Sequence, residues 1–163
     1  MRLKKIVSGG QTGVDRGALD AALALGFPCG GRCPPGRLAE DGRIPELYPL
    51  VEMPSGGYRE RTIQNVVESD GTLVIYFGRL HGGTEQTILH CIRLQKPYKL
   101  VDGDEISPER AAELGTKFVE GHNVSVLNVA GPRQSQCARG YAYAYEAITR
   151  LLRNQSERGG AKS

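Results

Sequence analysis

Short runs rich in Val, Ile and Leu alternate along the chain with stretches whose apolar positions recur every three to four residues. The runs are "LKKIVS", "GTLVIYF", "PYKLV" and "NVSVLNVA", and they lead into helical patterns over residues 13–26, 83–95, 107–119 and 133–153. Parallel strands cannot be joined by a tight turn, so strand and helix in alternation predict a parallel sheet with crossover helices on both faces. The strands lack a polar-apolar alternation, as expected for strands covered on both sides. A further helix over about residues 58–69 precedes "GTLVIYF", with Ile63, Val66 and Val67 spaced to face a core. The expected fold class is α/β, a three-layer sandwich with a mainly parallel sheet, in one domain over residues 1–153.

Residues 28–57, "PCGGRCPPGRLAEDGRIPELYPLVEMPSGG", break the pattern. Their density of Gly and Pro leaves room for only a short strand near Tyr48 to Met53. A long irregular loop in a small domain is usually functional. The charged side chains Arg32, Arg37, Glu40 and Asp41 favour a loop that covers a ligand over a merely exposed surface. The end of the chain, residues 154–163, "NQSERGGAKS", offers one alanine to dock it, so a frayed, disordered tail is expected there.

Composition narrows the function classes. At 163 residues the chain can bury a full core without disulfide or metal staples. A net charge of +3, dispersed along the chain, gives no basic face for nucleic acid. No apolar run approaches the roughly 18 residues of a membrane span, and no signal-peptide pattern opens the chain. A cytoplasmic protein without a membrane partner is the expectation. Cys29, Cys33, Cys91 and Cys137 are not spaced with histidine as a zinc site requires and read as reduced thiols.

Candidate chemistry gathers where strands end. The run Ser8-Gly9-Gly10-Gln11-Thr12-Gly13 lies between a strand and a helix, where backbone N–H groups and the helix dipole attract anions. It resembles a dinucleotide fingerprint with serine for the first glycine, but no acidic residue follows at a second strand end to grip a ribose. Nor does a Gly-Lys-Ser/Thr follow, as in a P-loop. Asp15, in the first helical turn, reads as a dipole partner or a ligand contact. Two more junctions, "HGGTEQT" and "NVAGPRQS", repeat the order of strand, glycine and helix. In a parallel sheet all three fall at the carboxyl edge, where ligands bind. Gly82 and Gly83 repeat the glycine turn; Thr84, Thr87 and Ser135 are caps or ligand contacts, and Arg133 is a surface charge or an anion clamp. Tyr141, Tyr145, Ile148 and Leu152 share one face of the last helix, read as packing on the sheet, with an interface as the alternative.

Five blocks, "SGGQTGVDRGALDAA", "GGRCPPGRLAEDGRIP", "YRERTIQNV", "GGTEQT" and "NVAGPRQS", occur in this order and extend to about residue 150. Together they resemble the molybdenum-cofactor carrier family. That family is part of a Rossmann-like superfamily shared with the DNA-processing protein A domain and the Lonely Guy phosphoribohydrolases. The resemblance implies a Rossmann-like fold, a phosphorylated small-molecule partner and a homo-oligomer. The implied ligand is the molybdenum cofactor or a nucleotide. Its phosphate would meet Gly9, Gly10 and the Gly82-Gly83 turn, while the pterin dithiolene, with no direct protein ligand, would hold the metal.

An enzyme reading also follows from the resemblance. Lonely Guy enzymes cleave an N-glycosidic bond with an arginine from an "ERK" motif and a glutamate after "PGGxGT". Here "ERT" places Arg61 at the arginine. Leu89 and His90 stand where the acidic pair should fall, so only Glu85, or Asp15, is left as a carboxylate. Because glycosidic cleavage needs a positioned carboxylate, a binding protein is the favoured expectation and a nucleotide-processing hydrolase the alternative.

Overall fold

The computed structural model describes residues 2–160. Its central sheet has five strands: β1 (Lys5–Val7), β2 (Cys29–Gly30), β7 (Gly71–Tyr76), β8 (Tyr98–Asp102) and β9 (Val126–Ala130). Their order is β2-β1-β9-β7-β8 and every neighbouring pair is parallel. Register is set by pairs such as Ile6 with Leu127 and Val74 with Leu100. Five helices complete the layers: α1 (Val14–Ala24), α2 (Tyr58–Val67), α3 (Gly82–Arg93), α4 (Pro108–Gly121) and α5 (Gly140–Gly160). The expected Rossmann-like α/β sandwich is therefore the observed one.

Strand periodicity divides the sheet into two unlike faces. Leu73, Ile75, Leu127 and Val129 join Val14, Ala18, Phe118, Ile148 and Leu151 in the main core, so α1, α4 and α5 cover this face. The alternate positions include polar residues, with Asn128 Nδ2 donating to Thr72 Oγ1 at 3.3 Å. Buried polar groups survive only when bonded, and this face carries the site described below.

Residues 28–57 fold rather than loop. Beyond β2 they form β3 (Arg32–Cys33) paired with β6 (Val51–Glu52), and β4 (Leu38–Ala39) paired with β5 (Gly42–Arg43). Leu19, Cys33, Ala39, Ile44, Tyr48 and Leu50 make a second core. At its centre the buried Arg37 guanidinium donates to the carbonyls of Ile44 (3.0 Å), Leu50 (3.1 Å), Pro45 (2.8 Å) and Tyr48 (2.8 Å). One side chain thus replaces the hydrogen-bond ladder that so short a set of strands cannot supply.

Helix bounds differ from expectation at the last element. Residues 134–136 and 138–139 are turns, and the helix begins only at Gly140. The backbone here is bonded elsewhere: Val14 N donates to Pro132 O at 3.2 Å and Gln134 N to Thr12 Oγ1 at 3.1 Å. At the other end α5 runs to Gly160, where a frayed tail was expected from residue 154. Gln155 is buried and Arg158 pairs with Glu120 on α4, which explains the longer helix; residues 161–163 lie outside the described residues. Ile148 and Leu152 are buried as expected, whereas Tyr141 and Tyr145 are half-exposed, stacked 6.2 Å apart, with Tyr141 donating to Asp20. All four cysteines are free. No helix among the described residues is long and apolar enough to cross a membrane.

Candidate functional site

Strands β1, β9 and β7 lie side by side, and the chain leaves β1 towards one edge of the sheet and β7 towards the other. This reversal opens a crevice at the carboxyl ends of the strands. A cavity of about 400 Å³ fills it, the size of a small-molecule site. Its walls come from all three glycine junctions and from α2 and α3. Of the expected residues, Gly9, Gln11, Asp15, Arg61, Gly83, Thr84, Thr87 and Arg133 line it.

Arg61 is the hinge of this arrangement. It reaches from α2 across Gly9, where any side chain would collide with the guanidinium, and Nη1 donates to Gly9 O at 2.8 Å. Its guanidinium lies 5.4 Å from the centre of the Tyr58 ring. Nη1 is also 3.7 Å from Asp15 Oδ2, with both side chains about nine-tenths buried. Burial pushes the Asp15 carboxyl above its ordinary range, against the opposing pull of Arg61.

The first glycine bend already holds an anion of its own. Gln11 N donates to Asp15 Oδ2 at 3.2 Å, and the Gly9 amide also faces that carboxylate. Gly10 turns the other way, against Leu50 and Ile44 of the second core. Gly13 has φ of +83° and lies against the Pro132–Gln134 backbone, where a Cβ would come within 2.5 Å of Pro132 O. Gly10 and Gly13, expected at the phosphate cradle, thus stand outside the cavity wall.

Glu40 accounts for two more departures. Its carboxylate accepts from Thr12 Oγ1, from Ser135 N at 3.1 Å and from Ser135 Oγ at 2.6 Å, and stands 3.6 Å from Arg133 Nε. Those hydrogen bonds hold the Glu40 carboxyl below its usual range. Thr12 and Ser135 are therefore bonded to the lobe formed by residues 28–57, which clasps two junctions together. No residue of 28–57 lines the cavity, so the expected covering loop is replaced by α2 as the outer wall.

The α3 end is open by contrast. A Cβ at Gly83 would meet nothing within 4 Å, and one at Gly82 only Gln136 Nε2 at 3.5 Å. Gly82 lies beside the cavity and not in its wall. Thr87 Oγ1 donates to Gly83 O at 2.9 Å within the helix. Glu85, the carboxylate expected if the protein is an enzyme, is exposed and outside the cavity wall. Among the described residues Asp15 is the one carboxylate in the wall, which it shares with Arg59, Arg61 and Arg133.

Several lining residues were absent from the sequence-based expectation: Tyr58, Arg59, Asn65, His90, Asn128 and Gln136. A signal existed for some. Tyr58, Thr62 and Asn65 form a stripe at helical spacing on α2, as do Gly83, Thr87 and His90 on α3. Asn65 spends its amide on the Arg32 backbone, at 2.7 and 3.0 Å. His90 is held below the usual imidazole range by burial, with Arg59 and Arg93 adding to the effect, and so lines the wall as a neutral ring at pH 7. Among the described residues no three His, Cys, Asp or Glu side chains converge to hold a metal ion, and Cys33 is enclosed in the second core.

Comparison with known proteins agrees with this architecture. The profile of the circularly permutated YpsA SLOG family matches residues 6–152. A solved structure from Syntrophus aciditrophicus SB, named "Putative molybdenum carrier protein", is 45% identical and superposes with a TM-score of 0.90, over 93% of this chain and 96% of that one. No curated protein matches. With the family's profile spanning both the strand junctions and the lobe between them, the chain belongs to the circularly permutated YpsA SLOG family.

Proposed function

We propose that this protein is a carrier or sensor of a phosphate-bearing organic ligand, held between α2 and the N-terminus of α3. One observation carries the reading: Arg59, Arg61, Arg133 and an open helix N-terminus line one cavity of about 400 Å³, against Asp15 in its wall and Glu40 beside Arg133. A helix N-terminus and arginines both favour phosphate oxygens. The Syntrophus protein is named a molybdenum carrier, and together with the resemblance of the five sequence blocks this favours the molybdenum cofactor as the ligand. The residues present suit such a group. Arg59, Arg61 and the α3 amides would take its phosphate, and Gln11, Gln86, Asn128 and Gln136 offer amides to the edge of a pterin. The cofactor's own dithiolene would hold the metal, since the wall supplies no cluster of ligands for it.

Mass spectrometry of small molecules released from the purified protein tests this directly. A phosphorylated pterin or nucleotide is the expected finding; a neutral or cationic ligand overturns it. A second expected result concerns Gly83. Valine there meets open space, so Gly83→Val should leave the melting temperature nearly unchanged while weakening ligand binding by about tenfold or more, because its side chain occupies the cradle. Equal affinity in calorimetric titration would remove α3 from the site.

A nucleotide-processing enzyme is the second reading, and it rests on Asp15. A buried carboxyl with a raised pKa, 3.7 Å from an arginine, is the kind of group that acts as a general acid or base. Asp15→Asn separates the two. For a carrier, losing the only carboxylate in the wall should tighten inorganic phosphate by roughly fivefold. For a hydrolase, release of free base from nucleoside monophosphates should occur in the native protein and vanish in the variant.

A further inference from the structure

A second cavity, of about 210 Å³, adjoins the first across the N-terminus of α3. Thr84 and Gln136 line both. Its other walls include Arg79, His81 and Arg139, over Tyr76 and Phe77. Arg139 stacks 5.1 Å from the centre of the Phe77 ring and pairs with Asp104. Arg79 is exposed and makes no ion pair among the described residues, with Asp102 and Asp104 against its neighbour Gly78.

Thr84 joins these two spaces. It is only 7% exposed, yet its hydroxyl hydrogen-bonds to no other described residue, and both cavities meet at it. Its oxygen is not sealed off, so the hydroxyl opens on the cavities and is available to a bound group. The amides of Gly82, Gly83 and Thr84 are the first of α3 and have no partner within the helix, and nothing fills the space before Gly83. Cations therefore flank one open helix terminus on two sides: Arg59 and Arg61 in the larger cavity, Arg79 and Arg139 in the smaller.

We propose that the site recognises a diphosphate, with one phosphoryl group beside Arg59 and Arg61, the second beside Arg79 and His81, and the bridge lying on the α3 N-terminus at Thr84. This rests on the reading of the larger cavity as an anion site and adds the ligand class: a pterin or nucleotide that carries a diphosphate rather than a single phosphate ester. A monophosphate leaves the smaller cavity without a charge to match Arg79. A diphosphate satisfies both walls.

Isothermal titration of the full-length protein with inorganic phosphate and with inorganic pyrophosphate tests the idea. Pyrophosphate should bind about tenfold or more tightly, the gain from added charge-assisted hydrogen bonds. In Arg79→Ala, an exposed position where folding is checked by circular dichroism, the ratio of the two affinities should fall towards one. Thr84→Val, which keeps the shape and removes the hydroxyl, should weaken pyrophosphate more than phosphate. If phosphate binds and pyrophosphate binds no better, the diphosphate assignment fails and the anion site stands. An unchanged ratio in Arg79→Ala also overturns the assignment. Binding of neither anion removes both readings together.

Discussion

Alanine in place of Arg61 is expected to lower affinity for a phosphate ester by about a hundredfold and to cost about 3–5 kcal/mol of folding stability at pH 7. The two losses have one origin. Arg61 is 8% exposed and lies between the cavity and Asp15, so its charge serves the ligand on one side and a buried carboxylate on the other. Removing it leaves the Asp15 carboxylate buried without a counter-charge. The pH dependence carries a definite sign. Burial raises the folded pKa of Asp15 above 3.8, so its contribution to stability is fully present below about 3.8 and is lost as pH rises through the folded value. Without Arg61 that value rises further. The deficit of Arg61→Ala in urea unfolding should therefore be larger at pH 7 than at about pH 3.8. A deficit of the same size at both would show that Asp15 is not the group left exposed to desolvation.

Arg37→Ala should also cost about 3–5 kcal/mol, from a different place. Four carbonyls in the lobe, those of Ile44, Pro45, Tyr48 and Leu50, lose their donor at once. Arg37 is 5% exposed, so water cannot simply take over without opening the second core. Lysine in its place reaches too few of the four to restore it. Hydrogen exchange should locate the damage in residues 32–52 and leave the amides of β7 and β9 protected. Uniform loss of protection over the whole chain would mean that the lobe and the sheet unfold as one unit.

Much of the fold was legible because its signals are local. The apolar runs ending at Val7, Tyr76 and Ala130, each followed by a helical pattern, indicate parallel strands and put three junctions at one edge. β2 was not legible: two residues, Cys29 and Gly30, have no periodicity, and only their pairing with Ile6 and Val7 makes them a strand. The lobe was misread for a similar reason. Glycine and proline indicated irregular backbone there, but the interaction that orders the stretch is Arg37, whose four partners lie 7 to 13 residues away.

The site divides along the same line. Gly9, Asp15, Gly83 and Thr84 follow from the junctions, and Arg61 follows from the "ERT" block. What a single chain could not reveal is that Thr12 and Ser135 would be taken by Glu40, or that Gly10 would face Leu50. These depend on where the lobe settles against the sheet. Asn128 was equally hidden, because one asparagine in an apolar strand carries no local sign of whether it faces a cavity or a bonded neighbour.

The place of β9 at the middle of the sheet bears on how the chain is made. During translation, residues 1–102 can form two separate pairs of strands, β1 with β2 and β7 with β8, whose inner edges wait for a partner encoded at residues 126–130. Unpaired edges invite strands from other chains. The nascent polypeptide therefore passes through an interval of exposure on the ribosome that closes only when this late segment emerges and slots between the halves.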